Sequence, residues 1–221
     1  MAISEKQTAR KQKTRTNDPE RTMAEILSVA TKEFADKGLA GARIDEIAAA
    51  TRTSKRMIYY YFASKEGLYL AVLEAAYRGM RQIESDLHLQ DLPPVQALKA
   101  LVEFTYDHHQ QNENFIRLVM SENIQRGVYI GQSKDIQQLN GSAIETLQNL
   151  YERGVKSGDF RPGLTPLDIH SAISALTFFN VSNQHTFGLI FKKKSAPGKA
   201  QTLPRANVVS LILNFVAKPV G

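Results

Sequence analysis

The chain of 221 residues contains no cysteine and no tryptophan. Without cysteine there is no disulfide framework, no thiolate zinc site, no iron–sulfur cluster and no cysteine nucleophile. No apolar run approaches the roughly 18 residues that a membrane-spanning helix needs. The basic N-terminal stretch MAISEKQTARKQKTRTNDPE is followed by no apolar segment, so it does not read as a secretory signal. These absences predict a soluble, cytoplasmic protein with no membrane partner. A Gly-rich phosphate loop, an HExxH pair and a Ser/His/Asp order are also missing, which argues against an enzyme. His108 and His109 are adjacent, so on a helix they point about 100° apart and seldom share one ion. His88, His170 and His185 show no ligand spacing, and neither a metal nor a cofactor is expected.

What is present is helical pattern and a biased charge. Lys and Arg number 28 against 22 Asp and Glu, a net +6. Residues 1–66 hold 13 Lys and Arg against 9 acids, whereas the remainder holds 15 against 13. Residues 1–17 are polar and basic, too poor in apolar side chains to offset their ordering entropy, and read as a disordered arm. Asp18-Pro19-Glu20 is a helix start, with a capping carboxylate, proline at the first position and an acid for the dipole. Met23, Ile26, Leu27, Ala30 and Phe34 give that helix one apolar stripe over about 19–37, and Lys37-Gly38 ends it. Shorter helices follow over about 43–50 and 54–61, then a long one from Lys65 to about Asp86, capped by Ser64.

Beyond Leu92-Pro93-Pro94 every good signal is again helical. The spacing gives helices through Val95–Tyr106, Phe115–Val119, Ile136–Tyr151 and Val208–Phe215. Thr165-Pro166-Leu167-Asp168 reads as a capping box opening a helix that is apolar on nearly all sides, and such a helix must be buried on all sides. Residues 192–204 read as an exposed loop. The fold class is all-α, with roughly nine helices. Residues 18–64 form a three-helix domain and 65–221 a second helical domain.

The stretch 42–68, ARIDEIAAATRTSKRMIYYYFASKEGL, joins two short helices by a tight turn, the pattern of a helix-turn-helix. On a helical wheel Ile58, Tyr61 and Phe62 share one face, while Arg56, Tyr59 and Tyr60 share the other. Arg can read guanine, and Tyr can bond a phosphate or touch a thymine methyl. Lys65, with the amides that start the next helix, suits a phosphate.

Asp45-Glu46-Ile47-Ala48, Ser54, Ile58-Tyr59-Tyr60-Tyr61-Phe62 and Ser64-Lys65-Glu66-Gly67-Leu68, in that order and spacing, resemble the DNA-binding domain of TetR-family transcriptional regulators over about 18–72. The resemblance implies a homodimer that places each third helix in a major groove of a palindromic operator. It also implies a C-terminal domain that dimerises and holds a small-molecule effector, whose binding moves the fourth helix and releases DNA. Its DNA-contact candidates here are Arg43, Thr53, Ser54, Lys55, Arg56, Tyr59, Tyr60 and Lys65. In the family Thr is common where Arg43 stands, Ala-Gly-Val where Thr51-Arg52-Thr53 stands, and His where Tyr60 stands. Lys13 and Arg15 of the arm are either minor-groove or phosphate contacts or part of a solvated tail.

Polar groups in the apolar helix after Thr165 need partners, whether protein, water or ligand. Ser174, Phe178 and Asn180, with Phe104, Phe115 and Arg117 facing them, form the expected effector pocket for a small, aromatic organic ligand. The expected function is that of a ligand-released transcriptional repressor. The alternatives are a basic helical protein that binds nucleic acid without sequence preference, and a helical enzyme.

Overall fold

A computed structural model describes residues 18–192 and 203–218. The arm over 1–17 and most of the expected loop over 192–204 therefore lie outside the described residues.

Among the described residues ten α-helices follow one another: α1 (Pro19–Gly41), α2 (Ile44–Ala50), α3 (Lys55–Phe62), α4 (Lys65–Ser85), α5 (Pro94–Gln111), α6 (Glu113–Ile124), α7 (Lys134–Ser157), α8 (Pro166–Ser182), α9 (Gln184–Ile190) and α10 (Arg205–Val216). There is no strand among the described residues, only one bridge between Phe160 and Ala217. Local chemistry explains the starts. Asp18 accepts from the Arg21 amide at 3.1 Å, Ser54 from Met57 at 3.1 Å and Ser64 from Gly67 at 2.9 Å. Thr165 and Asp168 cap each other reciprocally, and those bonds hold the Asp168 carboxyl below its usual range. Each cap stabilises its helix by about 1 kcal/mol.

The first helix breaks where expected: Gly38 after Lys37 takes a positive φ of 67° and kinks the chain, and one further turn to Gly41 buries Leu39. One helix adds to the roughly nine expected: α9, where the chain breaks at Asn183 and then resumes.

The apolar stripes meet in three clusters. Ile26, Phe34, Ile47, Ile58, Leu68 and Tyr69 fuse the first three helices to the N-terminal half of α4, joined by Leu118 of α6. Phe34 and Tyr69 meet edge to face at 5.1 Å. A second cluster binds α5, α7, α8 and α10 through residues such as Leu98, Leu150, Ile173 and Ile212. A third, smaller one around Met80, Phe115, Ile116 and Val181 sits between them. α4 thus runs from the first core into the third. α8 is not buried on every side, contrary to the sequence reading. Leu167 and Phe179 of α8 are exposed, as are Leu211 and Phe215 of α10, which packs against α8.

Candidate functional site

The turn between α2 and α3 is built from its backbone outward. Thr51 is buried and its hydroxyl donates to the Ile47 carbonyl at 2.8 Å. The Thr53 amide donates to Ala48 at 3.0 Å. Between them Arg52 is forced into left-handed backbone (φ 50°), a conformation that costs an L-residue about 1–2 kcal/mol. At the far end of α3 the chain turns sharply into α4. A Cβ on Gly67 would lie 2.1 Å from the Phe62 carbonyl oxygen, so only glycine lets α4 begin this close to α3.

This frame divides α3 into two faces. Ile58 is completely buried, Tyr61 and Phe62 are half-buried, and Arg56, Tyr59 and Tyr60 face solvent. Tyr60 is 77% exposed, an unusual position for a large aromatic ring. Arg43, Arg52 and Arg56 are exposed and make no ion pair among the described residues. Lys55 pairs with Asp45 at 3.1 Å across the turn, and Lys65 donates to the Ala40 carbonyl at 3.3 Å. Thr53 is half-buried in the turn, and Ser54 is occupied as the α3 cap. The eight DNA-contact candidates therefore lie on or beside one helix-turn-helix, with Arg43 at its entry and Lys65 at its exit.

A cavity of about 370 Å³ lies between α4, α5, α6, α7 and α8. Three of the expected pocket residues, Phe115, Ser174 and Phe178, line it. The other three do not. Phe104 lies in the adjoining apolar cluster, its ring 5.7 Å from that of His108. Arg117 turns the other way, its Nε donating at 2.8 Å to the Ala35 carbonyl of α1. Asn180 clamps the backbone of Leu203, accepting from its amide at 2.8 Å and donating to its carbonyl at 3.1 Å. Buried polar groups found protein partners there, one of the alternatives the sequence left open.

Sequence reasoning missed most of the polar wall. Tyr77, Arg81 and Glu84 enter from α4, His109 from α5, Asn140 from α7 and His170 from α8. The available signal was spacing: Tyr77, Met80, Arg81 and Glu84 fall at i, i+3, i+4 and i+7, one helix face. Arg81 is ion-paired with Glu84, and its Nε and Nη2 donate to Asn140 Oδ1 at 3.2 and 2.6 Å. Burial, aided by the charges of His108, Arg81 and His170, pushes His109 down to about 3, and its Nδ1 has no partner among the described residues. Burial and Arg81 also push His170 down, so both imidazoles are neutral near pH 7.

An exposed basic and phenolic helix, wedged against a helix that also walls a cavity, defines a DNA-binding regulator with a second helical domain. Comparison with known proteins agrees in both halves. Residues 26–72 match the family model "Bacterial regulatory proteins, tetR family", and residues 94–212 match "Tetracyclin repressor-like, C-terminal domain". The chain is 36% identical over 177 residues to the HTH-type transcriptional repressor NicS of Pseudomonas putida, covering 80% of this chain and 84% of that one. It is 32% identical over 141 residues to the HTH-type transcriptional repressor SCO4008 of Streptomyces coelicolor, covering 62% of this chain and 69% of that one. Among solved structures, the putative transcriptional regulator SCO4942 of Streptomyces coelicolor superposes with a TM-score of 0.67 at 25% identity, over 90% of this chain and 99% of that one. The ketosteroid transcriptional regulator KstR2 of Mycobacterium tuberculosis shares the fold, with a TM-score of 0.64 at 18% identity over 93% and 98% of the two chains. The chain belongs to the TetR family of transcriptional regulators. It is therefore a DNA-binding transcriptional regulator.

Proposed function

We propose that two copies of the chain grip a palindromic operator, each laying α3 in a major groove, and that a small aromatic effector in the cavity loosens that grip. The observation that carries the reading is the outer face of α3, where Arg56, Tyr59 and Tyr60 stand exposed above a fully buried Ile58. Arg56 reads base edges, Tyr59 and Tyr60 add contacts to phosphate or a thymine methyl, and Arg43, Thr53, Ser54, Lys55 and Lys65 hold the sugar–phosphate backbone. Dimerisation through α8 and α10 is supported by the large apolar side chains both helices leave in solvent, Leu167, Phe179, Leu211 and Phe215. The cavity supports a sensing role because it combines aromatic walls with a few buried polar groups.

Fluorescence anisotropy on a palindrome taken from the DNA flanking the coding sequence, and on random duplex, tests this. Arg56→Ala should cost about 1–3 kcal/mol on the operator and little on random DNA. Lys65→Ala should weaken both and flatten the salt dependence by about one counterion. Equal losses on both duplexes for both variants would overturn the assignment of roles, and a monomer by sedimentation at operator-binding concentrations would overturn the dimer.

A further inference from the structure

The cavity is more selective than its aromatic walls imply. We infer that its effector is a small aromatic acid whose carboxylate is received by Arg81 and whose ring lies among Tyr77, Phe115 and Phe178. This rests on the proposed reading of the cavity as the effector site.

The Arg81 guanidinium carries five N–H groups. Here Nε and one N–H of Nη2 go to Asn140 Oδ1, and one N–H of Nη1 goes to the Glu84 carboxylate. One N–H on each terminal nitrogen remains. Asn140 cannot swing away freely, because its Nδ2 donates to the Ile136 carbonyl at 2.7 Å. The guanidinium is thus held from one edge with donors to spare, and a carboxylate is the group whose two oxygens suit two such donors.

Charge points the same way. The Arg81 charge acts on His108, His109, His170 and Tyr77, in each case favouring the less positive form, and the Glu122 carboxylate opposes it at Tyr77. The imidazoles are neutral, so they offer hydrogen bonds and no competing charge. A ligand cation would meet Arg81 with no unpaired carboxylate to receive it, whereas an anion meets the two remaining N–H donors of Arg81.

Size and polarity complete the class. A volume of about 370 Å³ equals the share of about a dozen waters, enough for one or two rings. His109 is buried with an unpartnered Nδ1, so a ring hydroxyl or ring nitrogen would give it the partner it lacks.

The test is isothermal titration calorimetry on the full chain with paired probes. Benzoate and its ring-hydroxylated and aza-substituted relatives are compared with the corresponding carboxamides, which keep shape and lose charge. At least one acid should bind ten-fold or more tightly than its amide. Arg81→Gln should bring that acid down to the level of its amide. Glu84→Gln keeps the guanidinium and removes its competing carboxylate, so the same acid should bind several-fold tighter; this variant decides the matter if Arg81→Gln does not fold. Amides binding as well as acids, no binding in either series, or weaker acid binding by Glu84→Gln would overturn the inference. Operator release, read in parallel by anisotropy, separates the two proposals. An amide that binds and releases DNA overturns the aromatic acid and leaves the effector site standing. An acid that depends on Arg81 and leaves the operator bound upholds the acid and overturns ligand-driven release.

Discussion

Acidification from pH 7.5 to 5.0 should destabilise this protein through His109 before its carboxylates titrate. The side chain is 4% exposed and stacks on Phe115 with ring centroids 6.0 Å apart. Its folded value lies near 3 against an ordinary 6.5, because burial penalises the cation and His108, Arg81 and His170 repel it. Between those values the unfolded chain binds a proton that the native state does not, so stability falls as pH falls. A full proton difference is worth roughly 1.4 kcal/mol per pH unit, and the roughly 1.5 units from 6.5 to 5.0 give a loss of about 2 kcal/mol. That figure hardly depends on the folded value so long as it lies well below 5. His108 and His170 are also pushed down by burial and Arg81, and act in the same direction. Glu46 and Asp168 are held below their usual range, so their contributions are intact above the unfolded values of 4.5 and 3.8 and are lost only below them. Urea unfolding at fixed protein concentration and ionic strength, at the two pH values, measures the effect. His109→Phe keeps a ring beside Phe115 and removes the titration, so its loss at pH 5.0 should shrink by about 2 kcal/mol. A wild-type protein equally stable at both pH values, or an undiminished loss in His109→Phe, would refute the reasoning.

Arg52→Gly exchanges a strained left-handed residue for the one that adopts this backbone freely. The relief of about 1–2 kcal/mol is partly offset by glycine's greater unfolded entropy, so urea unfolding should show stability unchanged or raised by up to about 1 kcal/mol. Arg52 is exposed in the turn before α3 and makes no ion pair among the described residues, so its loss should also weaken binding to any DNA and reduce the salt slope by about one counterion, visible by anisotropy. Arg117→Ala removes the guanidinium that joins α6 to the Ala35 carbonyl of α1. It should leave operator affinity within about three-fold and reduce the effector's power to release DNA, a coupling readable as the ratio of operator affinities with and without ligand.

Helix positions were legible because caps and stripes are local. Asp18, Ser54, Ser64 and Thr165 with Asp168 each act within three residues of themselves, and each is read from sequence and found at its helix start. The same locality made the outer face of α3 legible, since a wheel of eight residues separates Ile58 from Arg56 and Tyr60. The cavity wall was not legible in this way. Asn140 and Arg81 meet across 59 positions of sequence, and His109 and Phe178 bring their rings within 6.2 Å from different helices. Helical periodicity says which face of each helix is apolar and is silent on which faces meet. Asn180 misled for the same reason: its partner is the backbone of Leu203, 23 residues on, and no stripe announces it. α8 misled because an apolar composition does not say which sides of a helix its own chain covers, and Leu167 and Phe179 stay exposed.

The proposed release of DNA has a physical carrier in α4. Tyr77, Met80, Arg81 and Glu84 wall the cavity near its C-terminal end, and Gly67 locks its N-terminal turn against the Phe62 carbonyl of α3. From Gly67 to Arg81 is 14 residues, about 21 Å at the helical rise, with no kink or proline between them. A rod of that length does not absorb a push at one end by bending. It transmits the push to its packed partners. The N-terminal half of α4 is fused to α1 and α3 through Leu68, Tyr69 and Val72, so a shift driven from the cavity must carry the recognition helix with it or break that core. The second link, Arg117 to Ala35, ties α1 to α6, whose Phe115 also lines the cavity. The three-helix domain is therefore joined to the rest through α4 and α6, both of which reach the cavity wall. A ligand there need only prefer one separation of α4 and α6 over another, by as little as the roughly 1–3 kcal/mol typical of coupled sites, to change how the paired α3 helices meet DNA.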